Sequence, residues 1–271
     1  MDLGLSGRRA LVCGASSGLG RAIALELYRE GAHVVLCSRS AARLNQARDE
    51  ILAAVPPNPG AHPGALFTVA ADLSTADGRA AAVAGAREAV GGHLEILVTN
   101  TGGPPSGPRE AHSPDVWRQA YDGLLASVIE LTGAVIPAMR DAGWGRIVNV
   151  TSISVKQPVQ GLILSNTFRA GVTGFSRSVA NEVAPFGITV NNVLPGYTRT
   201  ERLEELASAG AARSGSTPEA FFAQWEAETP AGRLGDPDEL AALTAFLCST
   251  RAAFITGQSV AVDGGWIRSL L

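Results

Sequence analysis

The sequence predicts an α/β fold, a single domain built on a doubly wound parallel sheet of about seven strands with helices on both faces. Three observations lead there. Short apolar runs recur without polar alternation, as in strands covered by helices on both sides. Segments of helical pattern alternate with them. The right-handed crossover rule then winds the helices onto both faces.

The elements follow in order. RALVCG at residues 9–14 reads as a strand, followed by a helix over 19–30. HVVLCS at 33–38 precedes a helix over 41–54, and a strand at 65–71 precedes a helix over 75–90. LEILVTN, residues 94–100, is a fourth strand. PPNPGAHPG, residues 56–64, cannot continue a helix and reads as a stiff surface loop, a tolerated insertion. The second half continues with GRIVNVTS at 145–152, a helix over 166–184, GITVNNVLPG at 187–196 and a last strand at 258–262. Residues 199–229 break the rhythm with a helical insert rich in Glu and Ala. It is placed to be a lid over a cleft, with Phe221, Phe222 and Trp225 as its apolar underside, or else it packs onto the core.

Composition narrows the function classes. The 271 residues are 46% hydrophobic and 17% charged with a formal net charge of -3, which suits one large domain and offers no general attraction for nucleic acid or acidic membranes. The longest apolar run, residues 124–139, is interrupted by Glu130 and Pro137 and falls short of the roughly 20 residues of a membrane span. No export signal is read at the N-terminus, so a cytoplasmic location is expected. Cys13, Cys37 and Cys248 are an odd, widely spaced set and are expected to be buried free thiols. His33, His62, His93 and His112 lack metal-ligand spacing, and no metal site is expected.

The most informative stretch is CGASSGLG, residues 13–20, between the first strand and the first helix. Gly14 permits a tight turn, Gly18 lets backbone approach a pyrophosphate, and Gly20 lets the helix pack close to the sheet. With Ser16, Ser17 and Leu19 they form a loop whose N–H groups face an anion at the helix start. An acidic residue after the second strand would favour NAD; Ser38 and Arg39 stand there instead, which points to NADP(H). Arg39 can pair with the 2′-phosphate through its planar fork, and Ser38 can donate a further hydrogen bond.

The GxxxGxG spacing resembles that of the short-chain dehydrogenase/reductase family, with Cys13 where a threonine usually stands, and the resemblance spans essentially the whole chain. It implies a Rossmann-like fold binding NADP(H) and a small-molecule carbonyl or alcohol substrate, closest to the branch called 3-oxoacyl-carrier-protein reductase-like. ADLS brings Asp72 and Leu73 to the adenine, and TNTGG keeps Asn100 and Gly102 of the family's NNAG. PGYTRT resembles a turn in which Pro195, Gly196, the Thr198 backbone and the Thr200 side chain would hold the nicotinamide carboxamide. ITGQSVAVDGGW, residues 255–266, is similar to the family's last strand and turn. The family commonly forms homotetramers, so a homo-oligomer, tetramer or dimer, is expected. Val172, Phe175, Val179 and Val183 lie at helical spacing and would bury against the sheet or a second subunit.

The catalytic set departs from that pattern. In the family a serine orients the substrate carbonyl, a tyrosine protonates it, a lysine lowers the tyrosine's pKa and holds the nicotinamide ribose, and an asparagine completes a proton relay. Here Ser152 is retained, Ser165 stands at the tyrosine position, Arg169 at the lysine and Leu124 at the asparagine. Only Lys156 is a lysine, so of 22 Lys plus Arg the other 21 are arginine, and Arg169 fits that bias while keeping donors for the ribose. Ser165 is no equivalent acid. Its pKa near roughly 15.7 against about 10 for a phenol disfavours proton transfer by about 8 kcal/mol. Asn166 offers a further group to orient a carbonyl, and Tyr197 and Lys156 are candidates for a relocated donor. Two readings stay open: an NADP(H)-dependent oxidoreductase with an altered acid, or a catalytically impaired NADP(H)-binding sensor or partner-binding protein.

Overall fold

The computed structural model describes residues 1–55 and 64–270. Most of the loop expected at residues 56–64 therefore lies outside the described residues, as do His62 and Leu271. Seven strands form one sheet in the order β3-β2-β1-β4-β5-β6-β7, every neighbouring pair parallel. They are β1 (Arg9–Cys13), β2 (His33–Ser38), β3 (Leu66–Ala70), β4 (Ile96–Thr99), β5 (Gly145–Val150), β6 (Ile188–Pro195) and β7 (Ser259–Val262). The connecting helices are α1 (Gly18–Arg29), α2 (Ala41–Ala54), α3 (Ala76–Ala89), α4 (Pro114–Tyr121), α5 (Ser127–Ala142), α6 (Ile163–Val183), α7 (Glu201–Ser214), α8 (Pro218–Glu228) and α9 (Pro237–Cys248). Strand order reverses between β1 and β4, so a cleft opens outside their carboxyl ends.

Alternate side chains of each strand feed two cores. Val12 and Leu36 join Ile23 and Leu27 of α1 and Leu240 of α9 on one face; Leu11 and Leu97 join Leu131 of α5 and Val183 of α6 on the other. Caps set the helix starts: Ser40, Thr75, Ser113, Thr200 and Thr217 each accept a backbone N–H from the first turn. Asp236 and Glu239 form a capping box at α9 with Pro237 in the first turn.

Val179 and Val183 bury in the chain's own second core with Phe175 packed against it, and Val172 is buried outside that cluster. Helix α6 begins three residues earlier than the sequence pattern placed it. By length and composition alone the stretch Pro114–Ala142, with an 18-residue window of mean hydropathy 1.4, is long and apolar enough to cross a membrane. Here it is α4, a π-helical turn over Asp122–Ala126 and α5, with Leu131, Val135 and Met139 packed on the sheet.

Cys13, Cys37 and Cys248 are free and buried, and burial pushes the Cys37 and Cys248 thiols up to about 12. They are inert packing groups. Among the described residues no cluster of His, Cys, Asp and Glu is arranged to hold a metal.

Candidate active site and cofactor cleft

The glycine turn is closed by its neighbour strand. Gly14 has φ +60°, and a Cβ there would run into the Asn100 carbonyl; a Cβ on Gly20 would run into the Gly14 carbonyl. Asn100 also donates its side-chain amide to Gly14 O at 3.4 Å. Gly18, φ +53°, lies under Thr200, 3.4 Å from where its Cβ would be. Only glycine meets these approaches, and they leave the first N–H groups of α1 facing the cleft. Ser17 is the N-cap residue of α1 but makes no side-chain capping bond; its hydroxyl reaches Glu201 at 3.5 Å.

At the end of β2 the Ser38 hydroxyl is buried and has no hydrogen-bond partner among the described residues, and the exposed Arg39 follows it. Beyond β3, the Asp72 carboxylate accepts from the backbone and hydroxyl of Ser74 at 3.0 and 2.8 Å. Those bonds hold its pKa below the usual carboxylate value, so it stays ionised. Leu73 is buried beneath it.

A buried polar ladder stiffens the floor. Thr99 donates to Asn149 Oδ1 at 2.6 Å, and Asn149 Nδ2 donates to Ser176 and Asn192 at 2.9 and 3.3 Å. Above it, at the end of β5, Ser152 Oγ accepts from Ser154 N at 3.1 Å, which leaves its proton free to be donated outward. Ser165 is buried in the first turn of α6, one helical turn before Arg169. Arg169 donates to Val150 O at 2.7 Å, and burial, then the charge of Arg202, draw its pKa down to about 10. A cavity of about 10 Å³, near the size of one water, lies between Thr99, Thr101, Leu124, Thr151 and Arg169. Leu124 sits in the π-helical turn, where backbone irregularity marks functional sites in many helices.

The chain matches, over residues 14–267, the family described as enoyl-(acyl carrier protein) reductase. It is 34% identical over 270 residues to the 3-oxoacyl-[acyl-carrier-protein] reductase of Pseudomonas aeruginosa, covering 98% of this chain and 100% of the relative. It is 30% identical over 275 residues to the NADPH-dependent reductase BacG of Bacillus subtilis, covering 98% and 100%. Among solved structures it superposes on L-sorbose reductase from Gluconobacter frateurii, complexed with NADPH and L-sorbose, with TM-score 0.90 and 31% identity over 100% of both chains.

The chain belongs to the short-chain dehydrogenase/reductase family.

As a short-chain dehydrogenase/reductase it fits a dinucleotide where the sequence placed one. The cradle that any Cβ would fill and the partnerless Ser38 hydroxyl are both unmet needs that a phosphate-bearing ligand satisfies. Leu124 and Arg169 both line the small cavity.

Asn166 donates one amide hydrogen to Val159 O at 3.0 Å, and its buried Oδ1 has no hydrogen-bond partner among the described residues. One expectation changes. Tyr197 stacks on Trp225 at 4.9 Å and edges Trp266 at 5.8 Å; burial, then Glu228, push its pKa up to about 12, so it is no relocated acid. Thr200 Oγ1 accepts from Leu203 N as the α7 cap and donates to Thr198 O at 3.2 Å, which fixes the hydroxyl in the turn and leaves one lone pair open. Lys156 is exposed at the end of a short 3₁₀ turn.

Sequence reasoning missed Arg43, Glu201 and Arg202. Arg43 follows Arg39 by four residues, one helical turn, and that spacing was the available signal. Only the fold brings Arg202 to Pro104, 98 residues away, or Glu201 to Arg43, 158 away.

Proposed function

We propose that the protein is an NADP(H)-dependent oxidoreductase that interconverts a carbonyl and an alcohol, of 3-oxoacyl reductase type, with an atypical active site. The observation that carries the cofactor preference is the buried, partnerless Ser38 hydroxyl beside Arg39, at the strand end where the 2′-phosphate belongs. Gly14, Ser16, Ser17, Gly18, Leu19 and Gly20 would hold the pyrophosphate, Asp72 and Leu73 the adenine, and Asn100, Gly102, Pro195, Gly196, Thr198 and Arg169 the nicotinamide end. When bound, the cofactor supplies the hydride.

The chain's own residues orient and stabilise. Ser152, held by Ser154 N, donates its proton towards the substrate oxygen. Ser165 adds a second hydroxyl, and the Arg169 charge favours negative charge developing on that oxygen. Solvent water then delivers the proton. Loss of a positioned acid costs about 10²- to 10⁴-fold in rate, which leaves a slow enzyme rather than an inert one. Helices α7 and α8, with Leu203, Ala207 and Trp225 in a core of their own, form the lid. Steady NADPH consumption with a panel of ketones and 3-oxoacyl thioesters tests this; inactivity across the panel contradicts it.

The second reading, an impaired NADP(H)-binding sensor or partner-binding protein, draws on Leu124, an apolar group at the one-water cavity where the relay would run. Replacing Ser165→Tyr together with Arg169→Lys separates the two. A large gain in reductase activity means chemistry was lost; no gain means that the native chemistry is different.

A further inference from the structure

We propose that the substrate is an oxo acid, or the matching hydroxy acid, whose free carboxylate is bound by Arg202 with the support of Arg169. This rests on the carbonyl–alcohol oxidoreductase reading and departs from its 3-oxoacyl part: the reacting carbonyl sits on a chain that ends in a monoanion in place of a thioester.

Arg202 lies in the first turn of the lid helix α7 and reaches over the cleft to the loop after β4, where its Nη2 donates to Pro104 O at 2.6 Å. That loop is shaped for it. A side chain on Gly103 would place its Cβ 2.7 Å from the Arg202 Cζ and 2.8 Å from Nη2, so only glycine lets the guanidinium lie flat on the wall. Arg213, at the other end of α7, donates to Ser106 of the same loop at 3.1 Å, a second tie between lid and wall.

Opposite stands Arg169, close enough for the Arg202 charge to act on it, with a backbone carbonyl as its hydrogen-bond partner. Among the described residues no carboxylate pairs with Arg169. The one carboxylate on Arg202 is Glu205, its neighbour along α7, at 3.2 Å with Glu205 66% exposed. Arg202, which ties α7 to the loop after β4, has one solvent-screened carboxylate, and the part-buried Arg169 has none among the described residues, a surplus of about one positive charge. A part-buried cation with no counter-ion favours an arriving monoanion. The planar guanidinium fork matches a carboxylate in geometry as well as charge.

The first test needs no variant. Calorimetry of the protein saturated with NADP⁺ is run with hexanoate, hexanamide and inorganic phosphate as probes. Hexanoate is expected to bind at least 10-fold more tightly than either of the others. Equal binding of acid and amide overturns the proposal, and so does tighter binding of phosphate. In turnover, 2-oxobutanoate, acetoacetate and laevulinate are compared with their methyl esters, with the best acid expected to exceed its ester by about 10²-fold in kcat/KM. Arg202→Gln should raise KM for the acid with little change in kcat and collapse the preference, while Arg202→Lys keeps part of it. A loss shared equally by acid and ester overturns the assignment. NADPH affinity, measured without any acid, should be the same in Arg202→Gln as in wild type. Absence of NADPH binding in wild type would defeat the oxidoreductase reading, and hexanoate against hexanamide on the protein alone would still decide the carboxylate site.

Discussion

The Glu201 carboxylate lies 2.6 Å from the Arg43 guanidinium and 3.5 Å from the Ser17 hydroxyl, so the first residue of α7 is bonded to both α2 and the glycine turn. The pair is solvent-exposed, with side chains 51% and 62% accessible, and contributes little to stability. Its consequence is for ligands: a negative group stands where an anionic cofactor enters, and Arg43 is engaged with it.

Glu201→Gln removes that competition. NADPH affinity should rise about 3- to 10-fold at low ionic strength, and the gain should shrink above roughly 0.3 M salt as screening sets in. Fluorescence titration of NADPH checks both; unchanged or weaker binding would show that Glu201 does not oppose the phosphates.

Ser38→Ala discriminates between the cofactors. Removing a buried hydroxyl that has no partner should leave the free protein as stable or raise its stability by up to about 1 kcal/mol. The same change should weaken NADPH by about 5- to 20-fold and leave NADH unaffected, because NADH lacks the phosphate that the hydroxyl would meet. Thermal melts and paired titrations measure the two halves.

Gly20→Ala tests the cradle's shape. The added methyl runs into the Gly14 carbonyl and lies 2.8 Å from Asn100 Nδ2, so turn and helix must separate. A loss of about 2 to 4 kcal/mol is expected by denaturant unfolding, with NADPH binding lowered at least 10-fold. Gly91→Ala, where a Cβ meets no atom within 4 Å but φ is +62°, is the comparison for backbone strain without a clash.

The Arg169 pKa sets a pH limit. A basic group whose pKa is lowered in the fold loses its proton at about 10, while in the unfolded chain it keeps it to its ordinary guanidinium value. Between those points the unfolded state binds more protons, so this group's contribution to stability rises with pH there. Anion binding goes the other way. Carboxylate affinity should stay flat from pH 7 to about 9 and fall as pH passes about 10, as followed by calorimetry at constant ionic strength.

Most of the fold was legible because each strand is a short apolar run and connections carry their own punctuation: the capping residues Ser40 and Thr75 stand at helix starts read from the sequence to within a residue. The cradle was legible because Gly14, Gly18 and Gly20 answer to local geometry. The residues that open α7 were not. Arg202 and Glu201 take their meaning from partners about a hundred residues or more away, and nothing in TERLEEL separates them from an ordinary solvated helix start. Helices α4, α5 and α9 went unassigned in the sequence because they carry no glycine turn or strand-end motif to mark them. Tyr197 misled for a related reason: its position on the carboxamide turn was visible, whereas its burial between Trp225 and Trp266 depends on α8 and the C-terminal segment folding back.

The account stands on the glycine cradle and the Ser38–Arg39 corner together gripping NADP(H). Calorimetric titration of the purified protein with NADPH and with NADH measures that directly. We expect micromolar binding of NADPH and at least 10-fold weaker binding of NADH; no heat from either nucleotide at millimolar concentration would contradict the account.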